Sequence, residues 1–429
     1  MLEVNFAFLY PIIVALYAVA GAVLCNTAYS RRSAWMRGDV LDLVLLVVLI
    51  LIVGVIGTTN PYTDMVRMVK DIQKARATGI DYLFNVYSSV PLSAALLAVG
   101  ALSGVDRLVQ GIAVFLFYGG CFLSLSLLKR RRNIEEPVVV GTVVLLLWVV
   151  DYTAVAYGLR FWAALGLLVA GVSWIETSGK PGRHAAFGAL LCVSSVLMHF
   201  GTAVLLAVYV ASRVIRPKKG FVALLVLAVL YSPALILASP HMAASKVRFV
   251  AMLGRKGLEY FGLSPKFATS YDATRPFSWW FYMYLTVIFV VLVAAVNSYL
   301  RVASSRGAKH DAQARGREPF EPKVGEATWR MGVASAALAV SSVFSWTMGT
   351  RYGVAGALFG APLFMEVAGS FHPALLVPAW RGSHHLRGGE ISKSEKRIKI
   401  ALFVFMCCFV ALVLAQRVRT TYPGYYIAL

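Results

Sequence analysis

Four ionisable residues from distant parts of the chain invite a chemical reading. Arg160 opens an apolar run in Leu159-Arg160-Phe161-Trp162, and His199 closes the next in Met198-His199-Phe200-Gly201-Thr202. Arg351 lies in Thr350-Arg351-Tyr352 between two later apolar runs, and Asp64 follows Asn60-Pro61-Tyr62-Thr63 after the second run. Ionisable groups held against hydrocarbon are costly, and by default they mark function. Arginine grips phosphate through a planar fork of N–H donors, and histidine exchanges a proton near neutral pH. Each residue also has a plainer reading. The arginines serve as interfacial anchors, Asp64 as a helix N-cap and His199 as a hydrogen-bonded packing residue.

The elements that must position them are set by composition. Hydrophobic residues form 59% of the 429 and charged ones 14%, against roughly 45–50% and about 25% in soluble domains. The apolar runs lack strand-like alternation, so the chain reads as an all-α polytopic transmembrane bundle forming one membrane domain over 1–429. Candidate spans are 6–25, 40–58, 83–104, 107–128, 137–156, 160–176, 185–199, 201–214, 220–238, 279–299, 331–348, 352–369 and 399–416. Net charge is +21, and 26 of the 41 Lys and Arg fall in six connections: 31–37, 129–132, 180–183, 213–219, 301–330 and 380–399. Placing all six in the cytoplasm satisfies the positive-inside rule, so the basic balance needs no nucleic acid partner. Parity then makes 83–104, interrupted by Asn85, Ser88, Ser89, Pro91 and Ser93, a re-entrant or interfacial segment, leaving about 12 crossings.

That topology puts Arg160, His199, Arg351 and Asp64 on the outer face. It also leaves 29 residues between Arg183 and Arg213 for two crossings. Two helices of about 14 residues rise only about 21 Å each, short of the roughly 30 Å hydrocarbon core. His199 therefore lines a recess, where a general base is shielded from bulk water. Outside lie the segment 59–81, with Asp64, Asp71 and Asp81 among basic residues, and the loop 239–278. The loop carries Lys246, Arg248, Arg255, Lys256, Lys266 and Arg275 against Glu259 and Asp272, a net +4 that suits a pyrophosphate or lipid headgroup. The basic 301–330 segment reads as a solvated cytoplasmic linker. The five cysteines lie in or beside apolar runs without metal-ligand spacing, and no phosphate-binding glycine loop, zinc motif or serine nucleophile motif is present.

The external Asp64, the Leu159-Arg160-Phe161-Trp162-Ala163 opening, the Met198-His199-Phe200 tip and the late Thr350-Arg351-Tyr352 together resemble the EpsG family of Wzy-like bacterial polysaccharide polymerases, over about residues 10–425. One local departure is that Tyr62 precedes Asp64, with no tyrosine soon after it. The resemblance implies a fold similar to lipid-dependent membrane glycosyltransferases, in the bacterial inner membrane. It implies polymerisation of undecaprenyl-pyrophosphate-linked repeats in exopolysaccharide, capsule or O-antigen-type biosynthesis, with membrane lipids, a flippase and chain-length regulators as partners. In that setting Arg160 and Arg351 hold the pyrophosphate, His199 removes the acceptor proton, and Asp64 orients His199 or binds sugar hydroxyls. Lys246, Arg248, Arg255, Lys256 and Tyr352 contact substrate, and neither cofactor nor metal is called for. Other readings are a flippase for the same lipid-linked sugars, a membrane acyltransferase or single-sugar transferase using a lipid-phosphate donor, and a non-enzymatic scaffold. Single cysteines placed at Val105, Asp106 or Arg107 should react with an impermeant reagent from outside. Labelling from the cytoplasm would break the assignment.

Overall fold

A computed structural model describes residues 6–27, 31–53, 64–132, 134, 136–150, 152–178, 182–215, 218–260, 326–342 and 345–369. Among them the chain is helical, with no strand. Its helices are α1 (Phe6–Thr27), α2 (Arg31–Ile52), α3 (Asp64–Thr78), α4 (Asp81–Val86), α5 (Pro91–Ser103), α6 (Asp106–Arg132), α7 (Glu136–Val149), α8 (Tyr152–Tyr157), α9 (Leu159–Thr177), α10 (Arg183–Met198), α11 (Thr202–Val214), α12 (Lys218–Ala243), α13 (Arg248–Tyr260), α14 (Glu326–Ser341) and α15 (Trp346–Gly369). The candidate spans 279–299 and 399–416, the linker up to 325, the 261–278 half of the external loop and residues 59–63 lie outside the described residues.

Among the described residues, α6, α9 and α12 are long and apolar enough to cross a bilayer. Exposed apolar stripes run along α12 and along two further helices. Ile12, Leu16, Val19 and Val23 line one face of α1, and Val40, Leu43, Val47 and Leu51 one face of α2. Val222, Val226, Val229 and Leu237 do the same on α12. Stripes of this kind would be a liability in water and match hydrocarbon. The chain is an integral membrane protein.

The described residues divide into two compact units, one ending at Ala207 and the other beginning at Val208, within α11. In the first, α9 is packed on both sides. A Cβ on Gly120 of α6 would stand 2.3 Å from the Gly166 carbonyl oxygen of α9, and one on Gly171 would stand 2.7 Å from the Gly188 oxygen of α10. Backbone therefore meets backbone along both seams, the close approach that small residues permit between membrane helices. Phe117 and Trp162 meet edge-to-face at 5.4 Å beside the first seam. Arg131 caps the far end of α9 by donating to the Thr177 carbonyl. In the second unit, Ser232 of α12 lies 3.2 and 2.9 Å from the hydroxyls of Ser341 and Ser342. Gly332 of α14 and Gly356 of α15 face each other's helices less tightly, a Cβ on either standing 3.2 to 3.3 Å from backbone.

Several boundaries differ from the sequence reading, each for a local reason. The run 83–104 becomes α4, a turn and the 13-residue α5, which begins on Pro91 and stops at Gly104, whose φ of +73° is left-handed. The run 137–156 breaks between Val149 and Tyr152. α12 continues to Ala243 despite Pro233 and Pro240, and the external loop opens with α13 rather than coil. The break between α14 and α15 falls after Ser341, so Arg351 lies in the second turn of α15 and not at a junction.

Lys129 departs furthest from expectation. Placed by the sequence in a basic cytoplasmic connection, it is fully buried at the end of α6. Its ammonium lies 2.8 Å from Asp39 of α2 and 3.0 Å from Glu136 of α7. Gly38 leaves the room, since a Cβ there would stand 1.8 Å from the Glu136 carboxylate. Removing one member of a buried ion group leaves the others uncompensated, at about 3–5 kcal/mol. Lys129→Met should lower unfolding stability in detergent by about that amount, and adding Glu136→Gln should restore part of it. Unchanged stability in Lys129→Met would show that the group is not a structural tie.

Candidate functional site

At one end of the first unit, α3, α4, α5, α6, α9 and α10 share one apolar cluster. It includes Met68, Ile72, Leu83, Leu97, Val109, Ala163 and Met198. The cluster carries the start of α9 and the end of α10, and with them Arg160 and His199. Three polar ties hold its rim. Ser93, fully buried on α5, donates to the Met198 carbonyl. Arg76 of α3 donates to the Gly100 carbonyl at 2.9 Å and pairs with Asp106 at 2.6 Å. Gln110 of α6 donates to the Ala156 carbonyl at 3.0 Å. Ser93 broke the apolar run in sequence, and in the fold it ties α5 to the turn that carries His199.

His199 caps α10 with an extended backbone, φ −153° and ψ 116°. Its N–H donates to the Ser195 carbonyl at 3.0 Å, and the Thr202 hydroxyl donates to the His199 carbonyl at 2.8 Å. The imidazole sits edge-on to Phe161, 5.4 Å between centroids. Nδ1 accepts the Gly201 N–H at 3.0 Å. A neutral imidazole has one donor and one acceptor nitrogen, so in this setting the proton resides on Nε2. A base acting through Nδ1 would first have to release Gly201. Gly201 itself permits the contact, since a Cβ there would approach Nδ1 and Cε1 to 2.9 Å.

Arg160 lies half-buried in the first turn of α9, after Gly158, where a Cβ would strike the Ala154 oxygen and the Trp162 indole. Its guanidinium carbon stands 5.1 Å from the Tyr87 ring centroid, a cation–π contact. Its Nε is buried without a hydrogen-bond partner among the described residues. The N-terminal end of a helix already bears partial positive charge, so an arginine there adds to the local excess. An anion is the natural complement. Tyr87 donates to Asp71 at 2.6 Å, and Tyr82 donates to the other Asp71 oxygen at 3.0 Å. Burial and the Asp71 bond push the Tyr87 phenol up, while Arg160 pulls it down, and it stays protonated at neutral pH.

The remaining sequence candidates divide. Asp64 opens α3 and pairs with Arg67 at 2.6 Å, an exposed contact one turn away. The acid tied into the Arg160 surroundings is Asp71, two turns further on. The only sequence signal for it was the seven-residue spacing of two acids along one helix face. Arg351 is half-buried in the second unit, on the helix that Ser345 caps through the Met348 N–H at 3.4 Å. Tyr352 is 1% exposed beside Tyr231, 6.3 Å between centroids, and packs within that unit. Lys246, Arg255 and Lys256 are exposed, with Lys256 paired to Glu259 at 2.5 Å, and Arg248 begins α13. Gly254 and Gly257 turn α13 onto α12, at Met242–Ala243 and Ser239, so Arg255 and Lys256 point away from it.

No family model, curated protein or solved structure matches this chain. Its class rests on its own fold and site, an all-helical integral membrane protein with a guanidinium and an imidazole fixed at one end of a bundle. Histidine labelled with nitrogen-15 should show the Nε2–H tautomer for His199, assigned by its loss in His199→Gln. Gly201→Ala should displace that signal toward an unbonded ring. An unchanged signal would separate the ring setting from Gly201.

Proposed function

We propose that this protein polymerises undecaprenyl-pyrophosphate-linked oligosaccharide repeats on the outer face of a bacterial cell membrane. The observation that carries the reading is Arg160, a cation in the first turn of α9 with a buried, unpartnered Nε and no ion pair among the described residues. A pyrophosphate would satisfy both the guanidinium and the helix end. Helix lengths support the recessed setting. The 16 residues of α10 and 13 of α11 rise about 24 and 20 Å, against a hydrocarbon core of roughly 30 Å. The 13-residue α5 is as short, in keeping with a re-entrant segment that packs against protein.

In the reaction, an acceptor sugar hydroxyl attacks the anomeric carbon of the lipid-linked chain. The bond to the pyrophosphate oxygen breaks, and the hydroxyl proton must leave. The ring setting of His199 supports a donor role beside the base role read from sequence. With Nδ1 engaged by Gly201, the Nε2–H suits donation to the departing pyrophosphate, whose oxygens can take the acceptor proton. Arg351 enters on sequence grounds as a second guanidinium. Asp64, paired to Arg67, is left a lesser role. A flippase for the same lipid-linked sugars and transfer of a single sugar by the Asp64 and Asp71 carboxylates are the alternatives, and the partners both acids already hold count against the second.

The purified protein should elongate a lipid-linked repeat in vitro. Arg160→Ala, Arg351→Ala and His199→Ala should each abolish long chains while leaving expression and insertion intact, and normal chain length in all three would sink the assignment. Arg351→Lys should fail too, because an ammonium lacks the planar fork. His199→Gln separates the roles: retained activity supports a donor, and full loss supports a base.

A further inference from the structure

Asp71, Tyr82 and Tyr87 form a group that the reaction above does not use. Tyr87 is 7% exposed and belongs to the apolar cluster beneath α9. Two tyrosine hydroxyls converge on one carboxylate, at 2.6 and 3.0 Å. Each of those rings also carries a cation on its face, with Arg160 5.1 Å from the Tyr87 centroid and Lys74 4.5 Å from that of Tyr82. A phenol that donates to a carboxylate holds more electron density on its ring face, so the ring attracts a cation more strongly. Asp71 therefore offsets part of the Arg160 charge through an intervening ring. A direct aspartate–arginine pair would occupy the guanidinium donors with a bidentate contact. The relay leaves them available to a ligand.

We propose that Asp71 and Tyr87 are positioning residues for Arg160, with Asp71 locking the Tyr87 ring as the platform that aims the guanidinium at a pyrophosphate. This rests on the reading that Arg160 holds phosphate. The test uses the full chain in detergent with inorganic pyrophosphate as the probe, followed by calorimetry at low ionic strength. Arg160→Ala should remove most of the affinity. Asp71→Asn and Tyr87→Phe should each weaken binding about threefold to thirtyfold, the range of a desolvated cation–π contact. The double variant should be no weaker than the poorer single one, because both act through one contact. Tyr82→Phe, which leaves the Tyr87 bond in place, should change affinity less than twofold, and melting temperature should not track affinity across the set. Tyr87→Phe keeps the buried ring and decides the matter if Asp71→Asn does not fold. Additive losses, unchanged affinity in Tyr87→Phe, or absence of pyrophosphate binding by the unmodified chain would overturn the relay. Coupled losses in a protein that does not elongate lipid-linked repeats would uphold the relay and remove the polymerase reading alone.

Discussion

The first unit depends on how closely α9 approaches its neighbours. Gly166 against Gly120 and Gly171 against Gly188 bring three helix backbones into direct contact. In hydrocarbon, apolar side chains gain little by leaving lipid, so packing at this distance supplies much of the cohesion. The consequence is positional. α9 is gripped along its length by α6 and α10, with its far carbonyl end capped by Arg131, so its first turn has little freedom. Whatever Arg160 and Phe161 do, they do from a fixed mount.

The same unit holds charge in two different ways. Near the end of α6, Lys129 is fully buried and contacts Asp39 and Glu136 directly. Every charge there has a partner, and the group ties α2, α6 and α7 together. At the start of α9 the cation faces a ring, and the balancing carboxylate lies one hydrogen bond beyond it. Direct pairing spends the donors of a cation on structure. Pairing through a ring keeps the cation in place and leaves its donors to bind something else. The contrast between the two ends supports the proposed binding role of Arg160 and a structural role for Lys129.

Much of this was legible in the sequence, and the omissions have physical causes. The hairpin turn at His199-Phe200-Gly201 was readable because Gly201 and the residue count between Arg183 and Arg213 constrain it. The bounds of α9 were readable from its uninterrupted apolar run. The fate of Lys129 was not, because a Lys-Arg-Arg-Arg run reads as solvated until Asp39 and Glu136 arrive from other helices. The sequence ranks Asp64 above Asp71 for a similar reason. Asp64 stands at the helix start, where an acid attracts notice, while the partners of Asp71 lie 11 and 16 residues further along the chain. The sequence puts Arg351 at a junction because the apolar runs thin out near Thr350. The helix breaks earlier, where Ser345 offers its hydroxyl to the Met348 N–H.

The spacing of guanidinium and imidazole follows from a single helical turn. Successive residues of a helix point about 100° apart, and Arg160 and Phe161 are successive. One turns to Tyr87 and the other meets the edge of His199. The two chemical groups are thus set against neighbouring sides of one rigid element, by an aromatic contact in each case. The Gly201 N–H then engages Nδ1 of that imidazole. An aromatic ring can orient a charged group without neutralising it, which a carboxylate in the same place could not do. That property suits a site whose ligand must bring its own negative charge and take it away again when the bond breaks.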